Sequence, residues 1–145
     1  MGFESYNFDL SFPDATNERE ILEFFTNNGY SHCGVHTLEK ALDGGFIEVL
    51  LDKNHVSIRT AKANDTDVIL EILKDIDSLK SIIQVNVFDL QLKENVSSQC
   101  FDEVFSNFER LQKEFQEYYP SILPPVRCGA VFDESYGGGC SSEKF

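Results

Sequence analysis

Two imidazoles and a thiol fall within the short segment Ser31-His32-Cys33-Gly34-Val35-His36. Histidine and cysteine are natural zinc ligands, and a thiol with a base beside it is a potential nucleophile. His32, Cys33 and His36 are therefore the candidate metal ligands. Three donors in one short loop do not complete a tetrahedral site, and no Cys-x-x-Cys accompanies them. The expected outcome is a loop with a packed cysteine and two solvent-facing histidines, with no metal and no cofactor. Gly137-Gly138-Gly139 has the glycine content of a phosphate loop but is followed by Cys140-Ser141-Ser142 rather than Lys-Ser/Thr and a helix. Paired carboxylates recur at Asp65/Asp67, Asp75/Asp77, Asp102/Glu103 and Asp133/Glu134. Acid–base work would need one of each pair desolvated. Their positions beside helix caps, on polar helix faces or in the tail predict solvated surface instead. No catalytic step is expected.

The chain of 145 residues carries 25 Asp+Glu against 12 Lys+Arg, a formal net charge of −13. Its 13 Phe supply apolar surface for one core and argue against a disordered chain. No apolar run approaches the ~20 residues of a membrane span. Phosphate contacts need a basic surface, so nucleic acid is excluded as a partner. The start of the chain, Met1-Gly2-Phe3-Glu4, shows neither a basic region nor an apolar one. A secretory signal peptide is thus not expected, the location is expected to be cytoplasmic, and Cys33, Cys100, Cys128 and Cys140 are expected to be free thiols.

Hydrophobic periodicity places the elements. Tyr6, Phe8, Leu10 and Phe12 alternate with polar residues, which predicts a strand. Asn17 and Glu20 form a capping-box-like pair before Ile21, Leu22 and Phe25, and Asn28-Gly29 supplies a helix stop. Val35, Leu38, Ala41 and Leu42 predict a short helix closed by Gly44-Gly45. Residues 46–51 and 56–60 predict a hairpin, the first strand covered on both faces. Val68, Ile69, Ile72, Leu73, Ile76 and Leu79 trace a helix capped by Asn64 or Asp65. Residues 82–92 read as a strand whose covered face switches near Val87-Phe88, the mark of a bulge. A last helix begins near Ser97 or Ser98 and stops at Pro120.

The order of elements predicts an α+β fold: a ferredoxin-like split βαββαβ antiparallel sheet with an additional C-terminal helix. That helix could cover the open face of the sheet. Residues 1–132 would form one domain and 133–145 a flexible C-terminal tail, with Val131 and Phe132 still packed on the body.

Acids exceed bases in residues 1–60, in 61–96, in 97–120 and in the remainder, so the body itself is acidic. The outward faces of the two long helices offer Asp67, Glu71, Asp75, Asp102, Glu103 and Glu109 as partner-binding carboxylates. Such a field speeds encounter with cationic partners and rejects anionic ones. In size, acidity, α+β layout and lack of a catalytic motif, the chain resembles small bacterial immunity proteins that neutralise a cognate toxin. That resemblance implies a non-enzymatic cytoplasmic binder, a monomer or homodimer, whose partner is a basic toxin, a nuclease among the candidates. The alternative is a small-ligand-binding or regulatory ferredoxin-like domain acting as an oligomer.

Overall fold

The computed structural model describes residues 4–128. The expected tail at 133–145, together with Val131, Phe132 and Cys140, lies outside the described residues. Seven strands and three helices follow one another as β1 (Ser5–Ser11), α1 (Glu18–Asn27), β2 (Ser31–His32), β3 (Thr37–Leu42), β4 (Gly45–Asp52), β5 (His55–Ala61), α2 (Thr66–Ile82), β6 (Asn86–Asp89), β7 (Glu94–Asn95) and α3 (Phe101–Tyr118). A 3₁₀ turn at Ser98–Cys100 leads into α3. The strands make one sheet in the order β2-β3-β4-β5-β1-β6-β7, and every neighbouring pair is antiparallel.

The fold is therefore α+β, as the sequence predicts, but the sheet has seven strands and not four. The four strands anticipated from periodicity sit side by side as β4-β5-β1-β6, and β2, β3 and β7 extend the two edges. Residues 37–42 correct the sequence reading: they form strand β3, not a short helix. Leu38, Glu39, Lys40, Ala41 and Leu42 are good helix formers, yet pairing with β4 decides the outcome. Leu38 and Lys40 point to the same covered face and are both buried, so the strand's alternation was hidden behind a lysine.

Residues 82–92 also differ from expectation. Helix α2 runs on to Ile82, and only Asn86–Asp89 is a strand. The switch at Val87-Phe88 marks a coming turn and not a bulge. The Asp89 carboxylate accepts hydrogen bonds from the backbone N–H of Gln91 (2.8 Å) and Leu92 (2.9 Å), and Lys93 takes φ 59° before β7 pairs back on β6. Such a side-chain-stapled turn uses an aspartate for a structural purpose.

Helix α1 starts at the expected cap, Asn17, but the Asn17 side chain accepts from the Arg19 N–H at 2.8 Å and not in a box with Glu20, and the helix ends at Asn28 and Gly29, where φ of Gly29 is +96°. All three helices share one core with β1, β4 and β5: Tyr6, Phe8, Ile47, Val49 and Ile58 pack with Phe25, Ile72 and Phe108. Helix α3 thus lies beside α2 and leaves the opposite face of the sheet alone. The Phe108 ring meets Tyr6 edge-on with centroids 5.6 Å apart. That opposite face carries ion pairs among apolar and neutral residues. Arg59 pairs with Glu48, and Arg127 pairs with Glu39 at 2.7 Å while its guanidinium lies 4.1 Å from the centre of the Phe46 ring. Asn64 holds the incoming strand of chain there. Its amide donates to the Val126 carbonyl (2.9 Å) and its oxygen accepts from the Val126 N–H (2.7 Å).

Candidate functional site

Three regions carry the ionisable groups singled out above, and the fold treats each differently. On α2, Asp67 is exposed in the first turn, but Glu71 and Asp75 turn inward. Lys40 of β3 donates to Glu71 Oε2 and to Asp75 Oδ2, each at 2.7 Å. The Tyr30 hydroxyl donates to the same Asp75 oxygen at 2.8 Å, and the Lys40 ammonium sits 4.7 Å from the Tyr30 ring centre. Asp75 is only 2% exposed, which corrects its assignment to an outward face. A signal for this was present: Asp75 occupies the helical stripe of Val68, Ile72 and Leu79, three residues on from Ile72. A carboxylate in an apolar stripe needs a cation, and Lys40 supplies it. Burial, then the charge of Asp75, pushes the Tyr30 phenol well above its ordinary pKa. The hydrogen bond from Lys40 lowers the Glu71 pKa against the opposing cost of burial.

The second region joins β7 to the start of α3. Asp102 and Glu103 stand in the first turn of α3, where a helix favours negative charge, and Glu109 follows on the exposed face. Glu94 of β7, which sequence reasoning did not single out, comes beside them. It is exposed, and the charge of Glu103 raises its pKa. Its two-residue strand gives no periodicity to read, so this approach of two carboxylates is visible only in three dimensions.

The third region is the His32–His36 loop. Both histidines are exposed and border a cavity of about 440 Å³ together with Arg19, Lys53 and the apolar side chains of Ile21, Leu22, Val35 and Leu51. Cys33 is disulfide-bonded, whereas Cys100 and Cys128 are free, so the expectation of free thiols throughout is corrected at Cys33. Spacing along the chain does not say which sulfurs meet in space. In that state Cys33 is neither a thiolate ligand nor a nucleophile. Among the described residues, no group of three or more His, Cys, Asp and Glu is arranged to hold a metal ion. No helix among them is long and apolar enough to cross a membrane.

A buried phenol lies beside the second region, since its partner Asp89 pairs in register with Glu94. Tyr6 donates to Asp89 Oδ2 at 2.6 Å and accepts from the Asn107 amide at 3.1 Å. Burial and then the bond to Asp89 push its pKa up, and with Arg110 on Asn107 Oδ1 the chain of bonds ties β1, β6 and α3 together. Their bonds fit a structural role. Compared with family models, curated proteins and solved structures, the chain matches none.

Proposed function

We propose that this chain is a non-enzymatic acidic binding protein that docks on a basic protein partner, with the carboxylates at the junction of β7 and α3 forming part of the contact. The observation that supports the reading is the exposure of Glu94, Asp102, Glu103 and Glu109 around this junction, where the charge of Glu103 raises the Glu94 pKa. Like charges held together weaken a fold, and an exposed position offers no packing in return. A partner's lysine or arginine relieves that repulsion on binding, so the cost in the free protein becomes affinity and on-rate in the complex. The net charge of −13 supports the same direction by steering cationic partners toward the surface.

On this reading the partner is a toxin, as for the small immunity proteins the chain resembles, and the carboxylates stand in for the phosphates of a nuclease substrate. The reading includes a cytoplasmic setting. It also takes β4-β5-β1-β6 with α1 and α2 as a split βαββαβ core enlarged at both edges.

The test begins with affinity capture from the native source at low and high salt. Recovery of one basic protein in near-equal amounts, weakened by salt, identifies the partner. Stopped-flow association with that protein then compares Glu103→Lys and Glu109→Lys with Asp67→Lys. The first two should slow association several-fold at low salt, with a smaller effect at high salt. Unchanged rates in all three variants would sink the electrostatic docking.

A further inference from the structure

We infer that the cleft between the C-terminal ends of α1 and α2 is a binding site for a small free amine, a primary ammonium on an apolar stem. Its volume of about 450 Å³ lies in the range of small-molecule sites and holds a whole small molecule, not one side-chain tip. Part of its lining is apolar: Phe24 is buried, Ile83 is half-buried, and Ile82 at the rim is 65% exposed. An isoleucine left in water beside a cleft offers apolar surface that a ligand's hydrocarbon would cover.

Charge selects the head group. The ionisable side chains that border this cleft are Glu20 and Glu23, both exposed, and no Lys, Arg or His borders it. Among the described residues, no ion pair engages either glutamate. Arg19, the neighbour of Glu20, borders the cavity at the His32–His36 loop, where it and Lys53 are matched by Glu18 and Asp52. That cavity is balanced and selects neither sign, whereas the α1–α2 cleft holds two carboxylates and no base.

The helix ends add to the same sign. Asn27 ends α1 and Ile82 ends α2, and both border the cleft. A helix C-terminus carries partial negative charge and favours a cation. The last turn of α1 has no basic residue. That of α2 has Lys80, but its ammonium donates to the Val96 carbonyl at 2.6 Å and Lys80 does not border the cleft. The Ser81 hydroxyl donates to the Ser78 carbonyl at 2.6 Å, which leaves its oxygen as an acceptor for an ammonium N–H. A cationic head thus meets carboxylates, helix ends and a hydroxyl oxygen, while its stem lies against Phe24, Ile82 and Ile83. This inference goes beyond the docking reading, and its test needs no protein partner.

The experiment is an NMR titration of the full ¹⁵N-labelled chain with hexylammonium at constant ionic strength, with hexanol and hexanoate as matched controls. Saturable shifts in the amides of Phe24, Asn28, Ser81 and Ile82 with hexylammonium, much weaker with hexanol and absent with hexanoate, are expected. Glu20→Gln combined with Glu23→Gln should weaken hexylammonium binding about two- to thirty-fold, from two partly screened charge contacts. Ile82→Lys places a tethered ammonium at the rim. It should abolish binding while the melting temperature holds or rises, because a cation suits a helix C-terminus. Any of four results would overturn the assignment: no saturable shift with hexylammonium up to roughly 20 mM, a concentration that reveals any site of millimolar affinity; equal binding of hexanol; shifts spread over the carboxylates of α3 without saturation at the cleft; or tighter binding of Nα-acetyl-lysine amide than of hexylammonium, which would make the cleft a seat for a partner's side chain.

Discussion

Replacing Lys40 by methionine probes the buried ionic cluster that anchors β3 to α2. Lys40 is 7% exposed and is the cation for both Glu71 and Asp75, each 2.7 Å away. Methionine keeps an apolar stem over the Tyr30 ring and against Gly29 but removes the charge. Asp75 then remains in the core with only the Tyr30 hydroxyl as partner. Breaking a buried pair by deleting one member costs about 3–5 kcal/mol, because the survivor is left uncompensated. A domain of this size has about 5–15 kcal/mol in total, so Lys40→Met should lose about a fifth of its stability or more. The melting temperature should fall by roughly 10–20 °C. Urea unfolding followed by far-UV circular dichroism measures the loss directly.

Adding Asp75→Asn to Lys40→Met should recover about 2 kcal/mol or more, since the unpaired charge is gone. The pH dependence supplies a separate check. Glu71 has its pKa depressed by Lys40, so its contribution is present above the ordinary glutamate range and is lost as pH falls through its folded value. Lys40→Met removes that contribution at neutral pH, so the gap between variant and parent should narrow on acidification. A loss below about 1 kcal/mol, or a double variant no more stable than Lys40→Met, would refute the reasoning.

Three further outcomes are expected. Glu94→Gln should unfold at an equal or higher urea concentration than the parent at pH 7. Glu103 raises the Glu94 pKa, so the native state binds that proton more tightly, and the stability it confers at low pH is lost as pH rises through the folded value; the advantage of the variant should therefore vanish in acid. Asn64→Ala removes the paired hydrogen bonds to Val126 and should cost about 1–3 kcal/mol, with faster hydrogen exchange at the Val126 amide. Burial pushes the Cys128 thiol far up, so it should resist an aromatic disulfide reagent in the folded protein, while the half-buried Cys100 reacts; equal reactivity would contradict the packing of Cys128.

What the sequence by itself determined is the set of elements with strong periodicity. Alternation marks β1, the apolar run and its return mark the β4–β5 hairpin, and the stripes of α2 and α3 mark two long helices. Caps at Asn17 and Gly29 set the ends of α1. These signals are local: each depends on residues within one or two turns and on which face must leave water. Tertiary structure alone decided that residues 37–42 are a strand, because the burial of Lys40 depends on two carboxylates 31 and 35 positions away. It decided that Lys40 is the cation the inward-facing Asp75 finds, that α3 lies beside α2, and that the charge of Glu103 acts on Glu94. It also assembled the cavity, whose walls come from α1, the His32–His36 loop and the β4–β5 turn. The physical reason is common to all of these. The free energy of an ion depends on what surrounds it, and its neighbours here belong to distant segments that meet only when the sheet closes.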